Sequence, residues 1–167
     1  MEKPVVSIVM GSDSDLEMMN EAAKQLKEFG ISHEIKVLSA HRSPHLVTKF
    51  CNEINDRGIK VVIAGAGGAA HLAGVIAAHT IVPVIGVPVD SSSLKGLDSL
   101  LSTVQMPSGI PVATVAIGKA GAVNAGILAV QILAVHSKEL QSKLIKHKEK
   151  LVNSVVEKNS RLEKNKL

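Results

Sequence analysis

Short runs of β-branched and other apolar residues alternate along the chain with segments in which apolar residues recur at helical spacing. The runs have the length and composition of strands in a buried sheet. They predict five strands, at residues 5–10, 33–38, 60–64, 83–87 and 111–117. Strands that alternate with helices are typical of a parallel sheet covered by helices.

The segments between the runs predict amphipathic helices. The first ends at Gly30 and the second before Gly58, because glycine commonly follows the last helical turn. A third covers about 68–79 and a short fourth about 94–104. The apolar faces of the first two are Met19, Ala22, Ala23, Leu26 and Phe29, and Leu46, Val47, Phe50, Cys51 and Ile54. Cys51 is therefore expected to be a core residue.

Two more helical segments follow the last strand. Residues 119–136 are apolar nearly all round, which predicts a helix buried on most sides. Beyond it, a charged helix carries an apolar stripe that would suit a neighbouring subunit, and the last ten or so residues are expected to fray. The stripe consists of Leu140, Leu144, Leu151 and Val155.

These elements predict an α/β fold, a three-layer α/β/α sandwich with a five-stranded parallel sheet in a flavodoxin-like arrangement and a C-terminal helical extension. We expect a single domain over residues 1–167, with its core at 4–137 and the helix and tail at 138–167, because the chain has 167 residues and no internal repeat or linker.

Composition narrows the class of protein. The chain is 46% hydrophobic with 13 glycines, which predicts surface hidden against other subunits and hence a homo-oligomer. One cysteine makes no internal disulfide, and the first residues lack the pattern of a secretory signal, so we expect a cytoplasmic protein. The most apolar stretch, 120–135, is too short and too polar to span a membrane.

The net charge of +4 does not predict a nucleic-acid partner. Residues 138–167 hold nine Lys and Arg against four Glu, whereas residues 1–137 hold ten against eleven acidic residues. The basic excess therefore belongs to the tail, where a solvated helix face explains it. With no Trp, no Tyr and two Phe, the chain also lacks rings on which bases stack.

Ligands of such sheets bind outside the carboxyl ends of the strands, so the loops there are where chemistry is expected. These loops are residues 11–15, 39–44, 65–71, 88–96 and 118–121.

The loop after the first strand admits two interpretations. Ser12 and Ser14 precede a helix N-terminus, where free amides favour a phosphate or carboxylate. Ser14 with Glu17 also fits a capping box, which needs no ligand. Asp15, and Asp13 beside it, have the chemistry to accept hydrogen bonds from sugar hydroxyls.

The loop after the third strand contains Gly65-x-Gly67-x-x-Ala70, a weak match to a dinucleotide fingerprint that normally opens the first βαβ unit instead. Its glycines allow a ligand to approach the backbone amides. His71 lies near the first turn of the next helix, where a lone histidine is more often structural. The seven histidines form no pattern typical of a metal site, so no metal is expected.

His41 and Arg42 follow the second strand. An imidazole gives and takes protons at neutral pH, and a guanidinium beside it can hold an anion. Pro44 begins the next helix and stiffens the loop. The residues alone leave open whether this pair is functional, because exposed His-Arg dipeptides are common.

Six segments together carry a specific resemblance. In order they are MGSDSD, SAHRSP, IAGAGGAAHLAG, PVIGVPV, GLDSLLSTVQMPSGIPVATVAIGKAGAVNA and QILA. The chain closely resembles the PurE family of purine biosynthesis over residues 5 to about 140, and it is most similar to the mutase branch. That branch converts N5-carboxyaminoimidazole ribonucleotide to 4-carboxy-5-aminoimidazole ribonucleotide. We expect the reaction to proceed by decarboxylation, retention of CO₂ and recarboxylation.

The resemblance implies roles for individual residues. His41 matches the general acid/base, and His71 the second histidine of the active site. Ser12 and Arg42 match phosphate-binding positions, and Asp15 a ribose-binding position. Positions lining the base and carboxylate pocket are matched by Ser14, Ser39, Ala66, Gly67, Ala70 and Leu72. The Gly68 amide, beside that of Gly67, is expected to help hold CO₂ there. The resemblance further implies an octamer with sites at subunit junctions, and no cofactor, metal or ATP.

Three positions depart from the family's usual residues. Leu16 stands where many members have Trp, Ser43 where Thr is usual, and Ala73 where Pro commonly follows His-Leu. Two alternatives remain: a carboxylase that uses aminoimidazole ribonucleotide and free CO₂, and a non-catalytic nucleotide-binding module.

Overall fold

A computed structural model describes residues 3–90 and 93–164 of the chain. Its sheet has five parallel strands, as the sequence predicts, and their order is β2-β1-β3-β4-β5. The strands are β1 (Val6–Met10), β2 (His33–Val37), β3 (Val61–Ala66), β4 (Val84–Pro88) and β5 (Ala113–Thr114). The helices are α1 (Leu16–Phe29), α2 (Pro44–Glu53), α3 (Leu72–His79), α4 (Leu97–Val104), α5 (Gly118–Ala134) and α6 (Lys138–Lys164). The predicted loop 88–96 includes residues 91 and 92, which lie outside the described residues.

The sheet separates two apolar cores. Helices α1 and α5 pack on one face, against Ile8, Ile63 and Ile85. Helices α2 and α3 pack on the other, against Val9 and Val62. Because side chains alternate between the faces of a strand, the neighbours Ile8 and Val9 enter different cores and both are fully buried.

Helix α1 begins and ends for identifiable reasons. Its buried side chains are Met19, Ala22, Leu26 and Phe29, the predicted face without Ala23, which is half-buried. Gly30 ends it with a left-handed φ of 76°, and its N–H donates to the carbonyls of Leu26 and Lys27.

Helix α2 largely matches its predicted face. Val47, Phe50, Cys51 and Ile54 are buried, and burial raises the pKa of the Cys51 thiol to about 11, so its expected place in the core is confirmed. The prediction for Leu46 is wrong. Its side chain is 44% exposed, because position 46 lies at the edge of the helix's apolar stripe.

Strand β5 is much shorter than the predicted 111–117. Only Ala113 and Thr114 pair with β4, after which the Val115 N–H donates to the Gly86 carbonyl at 3.1 Å. The next bond of a parallel ladder would come from the N–H of Pro88, and proline has none. The ladder therefore stops, although the apolar run continues.

The starts of two further helices also differ from the prediction. Helix α3 begins at Leu72 instead of 68, because Gly68 has a left-handed φ of 62° and the backbone turns there. Helix α4 begins at Leu97 instead of 94, because Lys95 and Gly96 both have positive φ.

Helices α5 and α6 form the C-terminal part. One side of α5, which includes Ala122, Ala125, Ala129 and Val130, is buried, whereas outward residues are exposed, so the expectation of burial on most sides is not met within one chain. The expected fraying is wrong as far as Lys164, since α6 continues to that residue. The remaining residues of that prediction, 165–167, lie outside the described residues.

Helix α6 is attached to the fold through its first half. Leu140 and Leu144 pack against the α1/α5 core. The Lys143 ammonium donates to the Phe29 carbonyl at 3.1 Å, at the end of α1 where carbonyls lack helical partners. The second half of the predicted stripe is exposed, with Leu151 at 51% and Val155 at 56%. No other element of the described residues covers this half of the stripe, and we expect a neighbouring subunit to cover it.

Candidate active site

A cleft of about 930 Å³ opens at the carboxyl ends of the strands, where the sequence predicts the site. It lies where the loops after β1 and β3 diverge, and the Gly11 N–H donates to the Gly65 carbonyl there at 3.1 Å. Ten of the twelve predicted site residues line it: Ser12, Ser14, Asp15, Ser39, His41, Arg42, Ala66, Gly67, His71 and Leu72. Gly68 and Ala70 are absent from the described lining.

The two predicted histidines meet in this cleft. His41 Nε2 lies 2.8 Å from His71 Nδ1, and the rings stand edge to face at 79° with centroids 4.9 Å apart. One nitrogen must donate a hydrogen bond to the other, so the tautomer of one ring fixes whether the other donates or accepts. Both side chains are exposed to the cleft. His71 is the N-cap residue of α3, which agrees with its expected place near the first helical turn.

Arg42 is fixed by the loops on either side of it. Its guanidinium donates to the Gly11 carbonyl at 2.6 Å and to Ser39 Oγ at 3.4 Å. Ser39 Oγ also accepts from the Arg42 backbone N–H at 3.1 Å. A guanidinium has five N–H groups, so donors remain for an anion in the cleft. Ser43 closes this turn, with its hydroxyl 3.1 Å from the Ser39 carbonyl, a contact that either Ser or Thr can make.

The loop after β1 is not a capping box. Ser12, not Ser14, is the capping residue, and its Oγ accepts from the Ser14 N–H at 3.4 Å at the start of a 3₁₀ turn over Asp13–Asp15. The Ser14 hydroxyl donates instead to Asp15 Oδ1 at 3.1 Å. Helix α1 has no side-chain cap, because the 3₁₀ turn shifts its start to Leu16. The capping interpretation of Ser14 with Glu17 is therefore wrong.

Asp15 has an unusual environment for a carboxylate near the surface. Burial raises the pKa of its carboxyl group, while hydrogen bonds from Ser14 and Ser12 and the charge of Arg42 oppose that rise. A carboxylate held by the Ser14 hydroxyl and the Ser12 backbone is oriented to accept from a ligand's hydroxyl groups. Leu16, one of the departures from the resemblance, is 41% exposed beside it.

The loop after β3 brings backbone close to the cleft. Gly67 and Ala69 line the cavity, whereas Ala70 is 1% exposed and turns inward. Leu72 reaches the cavity from the first position of α3 and packs in the α2/α3 core behind it. Ala73, where the resembling family has proline, is 2% exposed and lies in the regular helix. His71 is thus positioned without that proline.

Sequence reasoning missed several residues that line the cleft. The charged ones are Glu17, Glu21, Asp90 and Lys119, and the others include Met18 and Gly118. Asp90 and Lys119 belong to the segments 88–96 and 118–121, which the sequence places at the correct edge of the sheet, and that placement is the signal that could have identified them. Three of the missed residues lie in the first two turns of α1. Glu17 and Met18 come four and three residues before Glu21, which places them on the same helix face as Glu21.

No group of three or more His, Cys, Asp or Glu within residues 3–90 and 93–164 is arranged to hold a metal ion. Within the same ranges, no helix is long and apolar enough to cross a membrane.

Comparison with known proteins identifies the family. The family model described as AIR carboxylase matches residues 5–154, so the chain belongs to that family. The N5-carboxyaminoimidazole ribonucleotide mutase of Pyrococcus horikoshii is 56% identical over 162 residues, 97% of this chain and 90% of the relative. The protein of the same name from Bacillus subtilis is 54% identical over 160 residues, 96% of this chain and 99% of the relative.

A solved structure gives the same result for the fold. The crystal structure of Treponema denticola PurE is similar with a TM-score of 0.86 and 33% sequence identity, covering 95% of this chain and 98% of that one. The flavodoxin-like α/β architecture and the resemblance found in the sequence are both confirmed.

Proposed function

We propose that this protein is an isomerase that converts N5-carboxyaminoimidazole ribonucleotide to 4-carboxy-5-aminoimidazole ribonucleotide in purine biosynthesis. Family membership and relatives of that name at 54–56% identity support the substrate class. The observation that carries the proposal is the hydrogen-bonded pair of His41 and His71 inside a cleft that also holds Arg42.

The substrate's chemistry explains why no cofactor is needed. Its aminoimidazole ring is electron-rich, so a ring carbon is itself the nucleophile, and its carbamate loses CO₂ readily. We assign the ribose to Asp15 and the phosphate to Ser12 and Arg42. The base and the carboxylate are assigned to the pocket formed by Ser14, Ser39, Ala66, Gly67, Gly68, Ala70 and Leu72.

In the first half of the reaction, protonated His41 delivers its proton to the exocyclic nitrogen as the carbamate C–N bond breaks. The products of this step are CO₂, the neutral amine and neutral His41. Amides of the Gly67–Gly68 turn and nearby hydroxyls hold the CO₂ beside the ring. Positioning two reactants in this way replaces a bimolecular encounter with a reaction inside one complex.

In the second half, the ring carbon C4 attacks CO₂ and a C–C bond forms. Neutral His41 then removes the proton that C4 carried, which restores the aromatic ring and the protonated imidazole. One imidazole serves both halves, so no net proton is consumed. His71 shares a hydrogen bond with His41 and is assigned to orient that ring or to exchange a proton with it.

The proposal also includes the oligomeric state and the location of the protein. We infer a homo-octamer in the cytoplasm, with sites at subunit junctions, no metal and no nucleic-acid or membrane partner. Exposed apolar side chains support association: Leu97 and Leu101 on α4 are 52% and 49% exposed, and Val152 on α6 is 62% exposed.

The direct test is turnover by the purified protein, without ATP or added metal. N5-carboxyaminoimidazole ribonucleotide is mixed with the enzyme, and formation of the product is followed by its absorbance. We expect catalysis above the uncatalysed rearrangement. Aminoimidazole ribonucleotide with bicarbonate is assayed in parallel, and faster turnover of that pair would favour the carboxylase alternative. Binding without turnover of either substrate would favour a non-catalytic module.

A further inference from the structure

Lys119 lies at the beginning of helix α5 and lines the cleft, but nothing in the proposed mechanism uses it. Its side chain is 75% exposed. The ammonium lies 3.5 Å from Oε1 of Glu21, on the second turn of α1. Glu21 is only 14% exposed and also binds the Lys24 ammonium at 2.7 Å. The Glu21 carboxylate therefore contacts two ammonium groups, and of these two the one on Lys119 lines the cleft.

The charges that line the cleft indicate a role for Lys119 in binding an anion. Its described lining carries four carboxylates, on Asp15, Glu17, Glu21 and Asp90, and two permanent cations, on Arg42 and Lys119. A ribonucleotide phosphate is close to a dianion at neutral pH, so it would meet net repulsion if Arg42 were the only cation to contact it. A lysine whose ion pair is as long as 3.5 Å keeps ammonium donors free for a ligand.

The position of Lys119 favours the phosphate over the carboxylate as its partner. Helices α1 and α5 cover one face of the sheet, whereas α3, which follows His71, covers the other. The CO₂ that becomes the carboxylate of the product is assigned to the Gly67–Gly68 turn, in the loop that leads into α3. The Lys119 ammonium lies instead beside Glu21 of α1, the helix that follows Ser12, which we assign to the phosphate.

We propose that Lys119 is a second phosphate-binding residue of this cleft, acting with Arg42 and held in place by Glu21. This inference rests on the proposed function and adds a residue to its binding site. A charged hydrogen bond of this kind, in an exposed position, is expected to improve binding by about 10-fold.

The test compares Lys119→Met, Lys119→Arg and Lys24→Met with the unchanged protein. Lys24 is the matched control, because it contacts the same Glu21 carboxylate but is not part of the described cleft lining. We expect Lys119→Met to raise KM about 10-fold with kcat within about twofold. Lys119→Arg should restore most of the affinity, and Lys24→Met should resemble the unchanged protein. The KM of Lys119→Met should also depend less on salt, because one ionic contact is gone.

Three ligands identify the group that Lys119 binds. Titration calorimetry measures the binding of three ligands. The first is the product, which carries both the phosphate and the carboxylate. The second is aminoimidazole ribonucleotide, which lacks the carboxylate, and the third is the nucleoside of the product, which lacks the phosphate. The proposal predicts that Lys119→Met weakens both phosphate-bearing ligands by the same factor and leaves the nucleoside unaffected. The proposal is overturned if Lys119→Met lowers the affinity of the two carboxylate-bearing ligands alone. It is also overturned if the affinity of all three ligands falls equally, or if no affinity changes.

The same experiment separates this inference from the proposed function. If the unchanged protein turns over the substrate while Lys119→Met behaves identically to it, only the role of Lys119 is lost. If the unchanged protein neither turns over the substrate nor binds the product, the proposed function and this inference are both overturned.

Discussion

His41 and His71 lie 30 residues apart in the chain and meet through one hydrogen bond. The loops that carry them follow β2 and β3, which do not pair with each other but lie on either side of β1. The two rings therefore face each other across the end of β1, beside the Ser12 turn. Cleft position and mutual contact together make these two histidines stand out among the seven of the chain.

Arg42 provides a test of the phosphate assignment. Replacing it by Ala removes a guanidinium that is fixed by Gly11 and Ser39, together with its free donors. We expect KM to rise by about 10- to 100-fold with a smaller change in kcat, the size of a charged hydrogen bond. Steady-state kinetics measure both. Lys49→Ala, an exposed cation on α2, is the control, and an unchanged KM in Arg42→Ala would remove the phosphate contact.

Individual residues were predictable from the sequence to very different degrees. His41 and Arg42 are recognisable as a candidate pair after a strand, although their chemistry alone leaves open whether they are functional. His71 alone is indistinguishable from a structural histidine, because its significance depends on a contact with a residue 30 positions away. Only the family resemblance marked it. Lys119 and Glu21 were missed for the same reason, since their pairing joins two helices that are distant in sequence.

The packing of α1 against α5 makes one glycine essential. A Cβ added at Gly126 would lie 2.8 Å from the Ala22 carbonyl oxygen and 3.3 Å from its Cα, both backbone atoms that cannot move without moving the helix. We expect Gly126→Ala to destabilise the protein by about 1–3 kcal/mol despite the better helix propensity of alanine. Urea unfolding measures the change.

Gly74→Ala in α3 is the matched control for this prediction. Its added Cβ would meet only the flexible end of Met106, at 3.0 Å from the sulfur. The gain in helix propensity should then offset the contact. Equal destabilisation by the two substitutions would mean that the close approach of α1 and α5 is not what requires glycine at position 126.

Strand β2 at the edge of the sheet depends on a network around Glu34. Its carboxylate accepts from the Ser7 hydroxyl at 3.0 Å, pairs with Arg57 and lies 3.6 Å from the Lys36 ammonium. Burial acts to raise the pKa of Glu34, but hydrogen bonds from Arg57 and Ser7 outweigh it, so the folded-state pKa lies below the ordinary value.

The sign of the resulting pH dependence follows from linkage. With its pKa lowered on folding, Glu34 contributes stability that is present above about pH 4.5 and is lost as the pH falls through the folded-state pKa. We expect Glu34→Gln to cost about 1 kcal/mol at pH 7 and progressively less below pH 4.5. Urea midpoints from pH 7 to pH 3 measure this. Glu53→Gln, at an exposed pair with Lys49, should show little change, and a cost for Glu34→Gln that is constant with pH would contradict the assignment.

The sequence predicted a strand or helix well where the spacing of its own apolar residues decides its bounds. Strands β1 to β4 and helix α1 follow directly from their apolar patterns. Strand β5 was overestimated because its apolar run continues past the point where Pro88, on another strand, ends the ladder. The beginning of α3 was misplaced because Gly68 takes a left-handed φ that apolar periodicity does not reveal. In both cases the deciding residue acts through backbone geometry.

The expected octamer provides a test at the level of assembly. Eight chains of 17.5 kDa give about 140 kDa. We expect light scattering of the purified protein to report that mass. The double variant Leu97→Glu/Leu101→Glu, which charges two exposed leucines on one face of α4, should lower it. Lys148→Glu on α6 is the control for a charge change alone. A monomer of the unchanged protein at all concentrations would contradict the assembly.

Composition predicts that the chain associates with other subunits, but it does not identify the surface through which it does so. A high content of small apolar residues predicts hidden surface, and the structure identifies exposed apolar side chains on α4 and α6. Which of these faces meets another subunit depends on the partner's shape, which one chain does not contain. The single-domain boundaries stay a prediction for the same kind of reason, because an assembly can share elements between its chains.

Turnover by His41→Asn tests the central claim most directly, because asparagine keeps a polar side chain of similar reach but cannot carry the proton. His45→Asn is the control, since His45 is exposed on α2 and outside the described cleft lining. Initial rates with N5-carboxyaminoimidazole ribonucleotide, without ATP or metal, are compared with product affinity by calorimetry. We expect His41→Asn to lose about 10²- to 10⁴-fold in kcat with product affinity nearly unchanged, and His45→Asn to retain full activity. Near-normal turnover by His41→Asn would contradict the account, because the proton would then be carried by another group.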